Sequence, residues 1–241
     1  MSLFFDASAA SSRVDIGAGL PWMQNVPGGA LVAWATFDDV AISRSIVRFQ
    51  GNTGTTRAKI SINTGTLLPS IRANSLDADP TSAFNGGGAA TAGVRFYLAA
   101  TIKFSAATGI IYLGSSSGIS STTGGAFANM TAGNTSNTAA ALAKMGSQEN
   151  GTSNRWLGTI EDCRIYNIEL TANQVQTLMV QQGRAPIALG NMQAQWPLNE
   201  LGEGVAVGAS VVDLSNNKFN GTPTGTMSYR GRFACNRRRF M

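Results

Sequence analysis

Histidine is absent from the 241 residues. This excludes Ser-His-Asp and Cys-His catalysis and histidine-based zinc sites, because the commonest general base and metal ligand is missing. Charge is also scarce. Only 13% of residues are charged, about half the usual ~25%. No apolar run approaches the ~20 residues of a membrane span. The opening MSLFFDASAA lacks a basic n-region and an apolar core long enough for a signal peptide, so cytoplasmic synthesis without signal-peptide export is expected. There are two cysteines, Cys163 and Cys235. Either both are free, or they are bridged; closing a loop of about 72 residues contributes ~4 kcal/mol in the chain-entropy model.

What is present is apolar and small. Apolar residues make up 43% of the chain and glycine accounts for 28 positions, with abundant Ser, Thr, Asn and Ala. That mixture suits many short strands joined by tight turns. LFFD and RVDIG read as two short strands, and ALVAWATF (Ala30 to Phe37) as a buried one. In RAKISIN, Ala58, Ile60 and Ile62 alternate with Lys59, Ser61 and Asn63, the pattern of a half-buried strand. VRFYLAATIKF and GIIYLGS form a hairpin across SAATG. The stretch DADPTSAFNGGGAATAG reads as a loop, with Asp77 and Asp79 in a turn before Pro80, and GISSTTGGAFANMTAGNTSNTAA reads as long loops or weak edge strands. One helix is expected. Thr171 and Gln174 make a capping box, Val175, Leu178 and Met179 an apolar stripe, Gly183 a C-cap, and Pro186 blocks continuation. Ten or more short strands and one helix indicate an all-β sandwich.

The net charge of +5 is uneven. The tail YRGRFACNRRRF holds Arg230, Arg232, Arg237, Arg238 and Arg239; removing these five arginines from +5 leaves zero. Such a tail can meet acidic protein surfaces. Nucleic acid is not the expected partner, because the arginines cluster only in the tail and no groove with interleaved stacking aromatics is indicated.

WLGTIEDCRIYNIELTANQVQTL is the most specific segment. Its ordered Trp156, Gly158, Ile160, Glu161, Asp162, Arg164, Ile165, Tyr166, Asn167, Leu170, Thr171 and Val175 resemble the closing signature of LamG-like (concanavalin A-like) jelly-roll domains. FFDASAASSRVDIG is similar to the opening strand pair of that family, with Ala7 in place of the usual glycine and Arg13 where an aromatic is common. The resemblance covers about residues 3 to 182. It implies a jelly-roll β-sandwich in which Leu170 and the helix plug one end. The expected division is a sandwich over residues 1–185 and a C-terminal β appendage over 186–241.

That last segment is unusual. QWPLNELGEG and DLSNNKFNGTPTG (Trp196, Leu198, Glu200, Gly204, Asp213, Ser215, Asn217, Asn220, Gly221, Gly225) are similar to the stretch that introduces such domains elsewhere, yet here they come last. The segment either folds back to complete the sandwich or leaves it as an arm. The arm is the favoured expectation, because the front position is already filled. The order resembles that of small phage-encoded structural proteins. It implies a virion subunit (capsid decoration, head fibre or tail-associated), homo-oligomeric and bound to other virion proteins through Trp196 and the tail arginines. The alternative is a non-catalytic carbohydrate-binding module or host-attachment lectin.

The resemblance also implies sites. Glycan binding would use loop aromatics and amides: Trp22 in LPWMQN, and Phe84 and Asn85 in FNGGG. A structural Ca2+ would draw on Asp6, Asp15 and Asp162, the alternative being turn capping or pairing with an arginine such as Arg164. No other cofactor is required. Catalytic relatives of the fold carry paired carboxylates about 5–10 Å apart. Here Glu161 and Asp162 are adjacent and expected on opposite faces of a strand, and Glu149, Glu200 and Glu203 fall in turns. No catalytic residue is assigned.

Overall fold

All 10 residues of Gly28–Phe37 are buried. The segment is apolar throughout because both faces of the strand are covered. Leu31, Ala33, Ala35 and Phe37 meet the core between two sheets, while Ala30, Val32 and Trp34 pack in a second cluster with the helix. In chain order the strands are β1 (Ser2–Phe5), β2 (Arg13–Gly17), β3 (Gly28–Phe37), β4 (Arg44–Gln50), β5 (Thr56–Ile62), β6 (Pro69–Ala73), β7 (Ser82–Asn85), β8 (Phe96–Lys103), β9 (Thr108–Ser115), β10 (Gly118–Ala126), β11 (Leu142–Met145) and β12 (Gly158–Tyr166). Helix α1 (Ala172–Val180) follows, then β13 (Met192–Trp196), β14 (Thr222–Thr224) and β15 (Met227–Arg230). The computed structural model describes residues 2–6, 12–17, 20–38, 44–51, 56–63, 65–80, 82–140, 142–147, 154–182, 187–199 and 210–230.

The described strands form an antiparallel sandwich, as the sequence predicts. One sheet has eight strands in the order β10-β9-β8-β3-β12-β1-β15, with β13 also paired to β12. The other has seven, in the order β14-β2-β11-β4-β5-β6-β7. Two segments read as loops contain strands: β7 lies inside SAFN, and the Ser/Thr/Gly-rich stretch contributes β10, at the edge of the eight-stranded sheet. The helix starts as expected. The Thr171 N–H donates to Gln174 Oε1 at 2.8 Å, and the Gln174 N–H donates to Thr171 Oγ1 at 3.3 Å. Its placement differs from the expectation. Leu170, Val175, Leu178 and Met179 cluster with Val32, Trp34, Tyr97 and Tyr112, so α1 covers the outer face of the eight-stranded sheet instead of plugging an end. Gly183 and Pro186 lie outside the described residues.

The C-terminal segment is not an arm. β13 pairs with β12, β15 pairs with β1, and β14 pairs with β2, so the segment adds strands to both sheets. Trp196, Leu198, Val211, Met227 and Tyr229 belong to the central core. Of the two alternatives left open by the sequence, the segment takes the first. β1 alone offers only four residues, and its outer edge is completed by β15 over Ser2 to Phe5.

One strand organises the junction. β3 runs along one edge of β12. The other edge is shared in tandem, Gly158 to Ile160 pairing with β1 and Cys163 to Tyr166 with β13. The change of partner falls at a bulge where Asp162 adopts φ 43° and its N–H donates to Pro197 O at 3.1 Å. Gly158, at φ 137°, opens the strand. A Cβ there would overlap Thr36 O, so only glycine fits.

Buried carboxylates tie the loops down. Asp213 accepts from the Gln195, Ser215 and Phe219 N–H groups at 2.8–2.9 Å, which makes DLSNNKF a rigid turn beside β13. Asp79 accepts from the Thr131 N–H (3.0 Å) and hydroxyl (2.8 Å) and from the Leu76 N–H (3.2 Å), joining two loops. Burial pushes its acidity toward higher pKa, but the Thr131, Leu76 and Ser75 hydrogen bonds outweigh it and leave the carboxyl below its usual 3.8. A depressed pKa stabilises the fold above about pH 4, and the contribution is lost as pH falls through the folded value.

Three outcomes are expected. Deleting residues 186–241 removes strands from both sheets, and the remaining chain fails to fold, read as loss of near-ultraviolet dichroism and protease resistance. Trp22→Ala, at a core position described below, destabilises by about 3–5 kcal/mol in urea titration. Between about pH 5 and about pH 2 the wild type loses more stability than Asp79→Asn, because the variant lacks the titrating carboxylate.

Candidate functional site

The two outer faces of the sandwich differ in chemistry. On the eight-stranded sheet the outer face is closed by α1 and by its own ion pairs. Arg95 donates to both Glu161 oxygens, at 3.2 and 2.9 Å, and lies 3.8 Å from the centroid of Trp34. Arg164 Nε reaches Asp162 at 2.9 and 3.2 Å, and Gln195 Nε2 donates to Asp162 at 3.0 Å. The bulge therefore turns both adjacent carboxylates to the same face, each to its own arginine, where simple alternation predicts opposite sides. Burial raises the Asp162 carboxyl, and Arg164 and Gln195 only partly oppose that.

The seven-stranded sheet turns a polar surface outward. In β5, Ala58, Ile60 and Ile62 join the core, so Lys59 and Ser61 point away from it. Register carries the pattern across the sheet. Asp15 of β2 opposes Lys144 of β11, which opposes Arg48 of β4, then Lys59 of β5, Arg72 of β6 and Ala83 of β7. A second rung runs Ser45, Ser61, Ser70, Asn85. Directly opposed side chains of this kind stand ~4.5–5.5 Å apart at Cβ. One rung is thus four cations ending in a carboxylate, and the other is three hydroxyls ending in an amide.

Accessibility varies along the rungs. Arg48, Lys59, Ser45, Ser61 and Ser70 are buried, Lys144 is half-buried, and Arg72, Ala83 and Asn85 are exposed. The reachable end is therefore the β6–β7 side. There Asn63 Nδ2 donates to Asn85 Oδ1 at 2.7 Å. At the other end Asp15 is held by Arg13 Nε at 3.0 Å, by the Thr224 hydroxyl at 3.0 Å and by Lys144 Nζ at 3.4 Å. Burial works to raise the Asp15 carboxyl, but the Arg13 and Thr224 hydrogen bonds and the Lys144 charge bring it below the ordinary value.

The residues singled out from sequence disperse. Trp22 is fully buried, packed edge-on against Phe49 (6.3 Å), Trp196 (5.4 Å) and Phe219 (5.4 Å), so it is a core residue and not an exposed sugar platform. Phe84 is half-buried against Phe127 at 5.1 Å. Asn85 is exposed and ends the hydroxyl rung. The calcium set does not converge. Asp15 faces outward from the seven-stranded sheet and Asp162 outward from the eight-stranded one, with the core between them, while Asp6 follows the end of β1. Among the described residues no group of three His, Cys, Asp or Glu could hold a metal ion.

Two members of the expected partner-binding tail are structural. Trp196 is in the core, and Arg230 lies 3.1 Å from the centroid of Phe4, within β15. Arg232, Arg237, Arg238 and Arg239 lie outside the described residues, as does Cys235. Cys163 sits in the core, where burial and then the neighbouring Asp162 push its thiol far above the ordinary value; such a thiol is unreactive. The sequence reading missed Arg72 and the rung it ends. The signal was present strand by strand, as basic residues alternating with apolar ones in IVRFQ, RAKIS and SIRA.

No family model matches the chain, and no curated protein matches it in sequence. Solved structures do match in fold. A putative carbohydrate binding protein from Bacteroides ovatus ATCC 8483 superposes with a TM-score of 0.65 at 12% identity, covering 95% of this chain and 60% of that one. This chain thus spans less than two thirds of that protein. The native heptameric SAP-like pentraxin from Limulus polyphemus superposes with a TM-score of 0.55 at 12% identity, covering 77% of this chain and 84% of that one. At such identities the likeness speaks for architecture alone: the chain is a jelly-roll β-sandwich.

Proposed function

We propose that this chain is a carbohydrate-binding domain of lectin type that holds saccharides without cleaving them. The observation that carries the reading is architectural likeness, over 95% of the chain, to a protein described as a putative carbohydrate binding protein. The outer face of the seven-stranded sheet supports it. Its exposed end offers an amide pair beside a guanidinium, and groups of this kind hydrogen-bond sugar hydroxyls. Catalysis is not proposed, because the adjacent carboxylates Glu161 and Asp162 are each engaged by an arginine.

The virion reading drew in part on a C-terminal arm free to hold a partner. With β13, β14 and β15 inside the two sheets, the described part of the segment gives no support to that argument, and Arg232, Arg237, Arg238 and Arg239 lie outside the described residues. The lectin reading therefore takes precedence. It is compatible with a host-attachment role on a particle.

A glycan array followed by calorimetry on the full chain tests it. Saturable binding to at least one saccharide is expected, and it should persist in EDTA, because Asp6, Asp15 and Asp162 do not converge. Folded protein that binds nothing on the array sinks the proposal. Trp22→Ala is no test of the site, since that residue acts through the core.

A further inference from the structure

The seven strands of the second sheet carry Arg13, Arg44, Arg48, Arg57, Lys59, Arg72 and Lys144, seven cationic side chains, against one carboxylate, Asp15. The strands of the other sheet carry three cations (Lys103, Arg164, Arg230) against two carboxylates (Glu161, Asp162). Positive charge is therefore concentrated on one sheet, and its open end is Arg72.

Arg72 differs from its neighbours in the rung. It is exposed, and its side chain makes no ion pair or hydrogen bond with the described residues. The one carboxylate of the rung, Asp15, stands four strands away, roughly 19 Å at ~4.8 Å per strand, and is already held by Arg13, Thr224 and Lys144. Asp77, on the loop after β6, is engaged by Arg57 at 2.7 Å. Next in register to Arg72 is Lys59, a second cation. Opposite Arg72 on the edge strand is Ala83, whose methyl leaves a step beside the guanidinium, and diagonal to it is Asn85, which accepts a hydrogen bond from Asn63 further along the sheet.

We propose that Arg72 takes the carboxylate of an acidic saccharide, with Asn63 and Asn85 hydrogen-bonding the ring hydroxyls at the β6–β7 edge. The proposal rests on the carbohydrate-binding reading and names the class of sugar. A guanidinium presents a planar fork of donors that fits a carboxylate in two parallel hydrogen bonds, a geometry that a lysine cannot reproduce.

The test is calorimetric titration of the full chain with two panels: oligosaccharides bearing sialic or uronic acids, and their neutral glucose and galactose counterparts. The acidic panel is expected to bind, more weakly as sodium chloride is raised. Arg72→Gln should weaken it roughly tenfold to a hundredfold, the range for one charge-assisted pair. Arg72→Lys should recover only part of the loss. Lys218→Gln, an exposed cation away from the rung, should leave binding unchanged, and thermal melts should show all three variants folded. Equal binding of neutral sugars with indifference to Arg72→Gln overturns the acidic-sugar assignment and leaves the lectin reading standing. Failure of both panels overturns the lectin reading itself, and this proposal with it.

Discussion

A nine-residue strand cannot give two partners the same stretch of one edge, and β12 is asked to serve β1 and β13 from one side while β3 occupies the other. The left-handed backbone at Asp162 resolves this. It breaks the ladder between the two partners, lets Pro197 close over the gap, and turns a carboxylate outward to Arg164 and Gln195. Buried ion pairs of this kind add little net stability, because desolvation offsets much of the attraction. Their value here is positional. Losing either partner would strand a charge, so the bulge can sit only where Asp162 and Arg164 meet. The frame of the eight-stranded sheet, and through β13 the route of the C-terminal segment, follows from that point.

Charge is distributed to match this frame. On the helix-covered face every described carboxylate of the strands has its own arginine, and aromatic rings fill the space beneath α1. On the opposite face the strands present hydroxyls, amides and cations in straight rungs. The sandwich thus has a helix-covered side and a polar side that is reachable at its β6–β7 end. That division comes from alternation within each strand, which sends apolar residues to the common core and leaves the remaining face free to vary.

Much of this was legible in the sequence. β3 and β5 announce themselves by composition and alternation, and Thr171 with Gln174 fixes the start of α1 through contacts three residues apart. Information of that range is local. What was not legible depends on register between distant segments. Lys59 reads as the polar face of one strand, but only pairing with β4 and β6 aligns it with Arg48 and Arg72. Trp22 sits in a turn-like motif and reads as a surface ring; the residues that bury it, Trp196 and Phe219, come from the far end of the chain. The same limit explains the misplaced arm. A segment resembling a domain opening carries no local mark of which edge it joins.

The pairing of β1 between β12 and β15 has a consequence for how the molecule is made. Ser2 to Phe5 leave the ribosome well before the strands that flank them, which begin at Gly158 and Met227. Until those segments emerge, an apolar strand with two open edges must wait, the situation in which chains pair with the wrong neighbour. Contacts of such long sequence separation are also slow to form. The sandwich therefore cannot close until Met227–Arg230 has been made, and a chaperone that shields the first strand would raise the yield of folded protein more than one acting on the finished sheets.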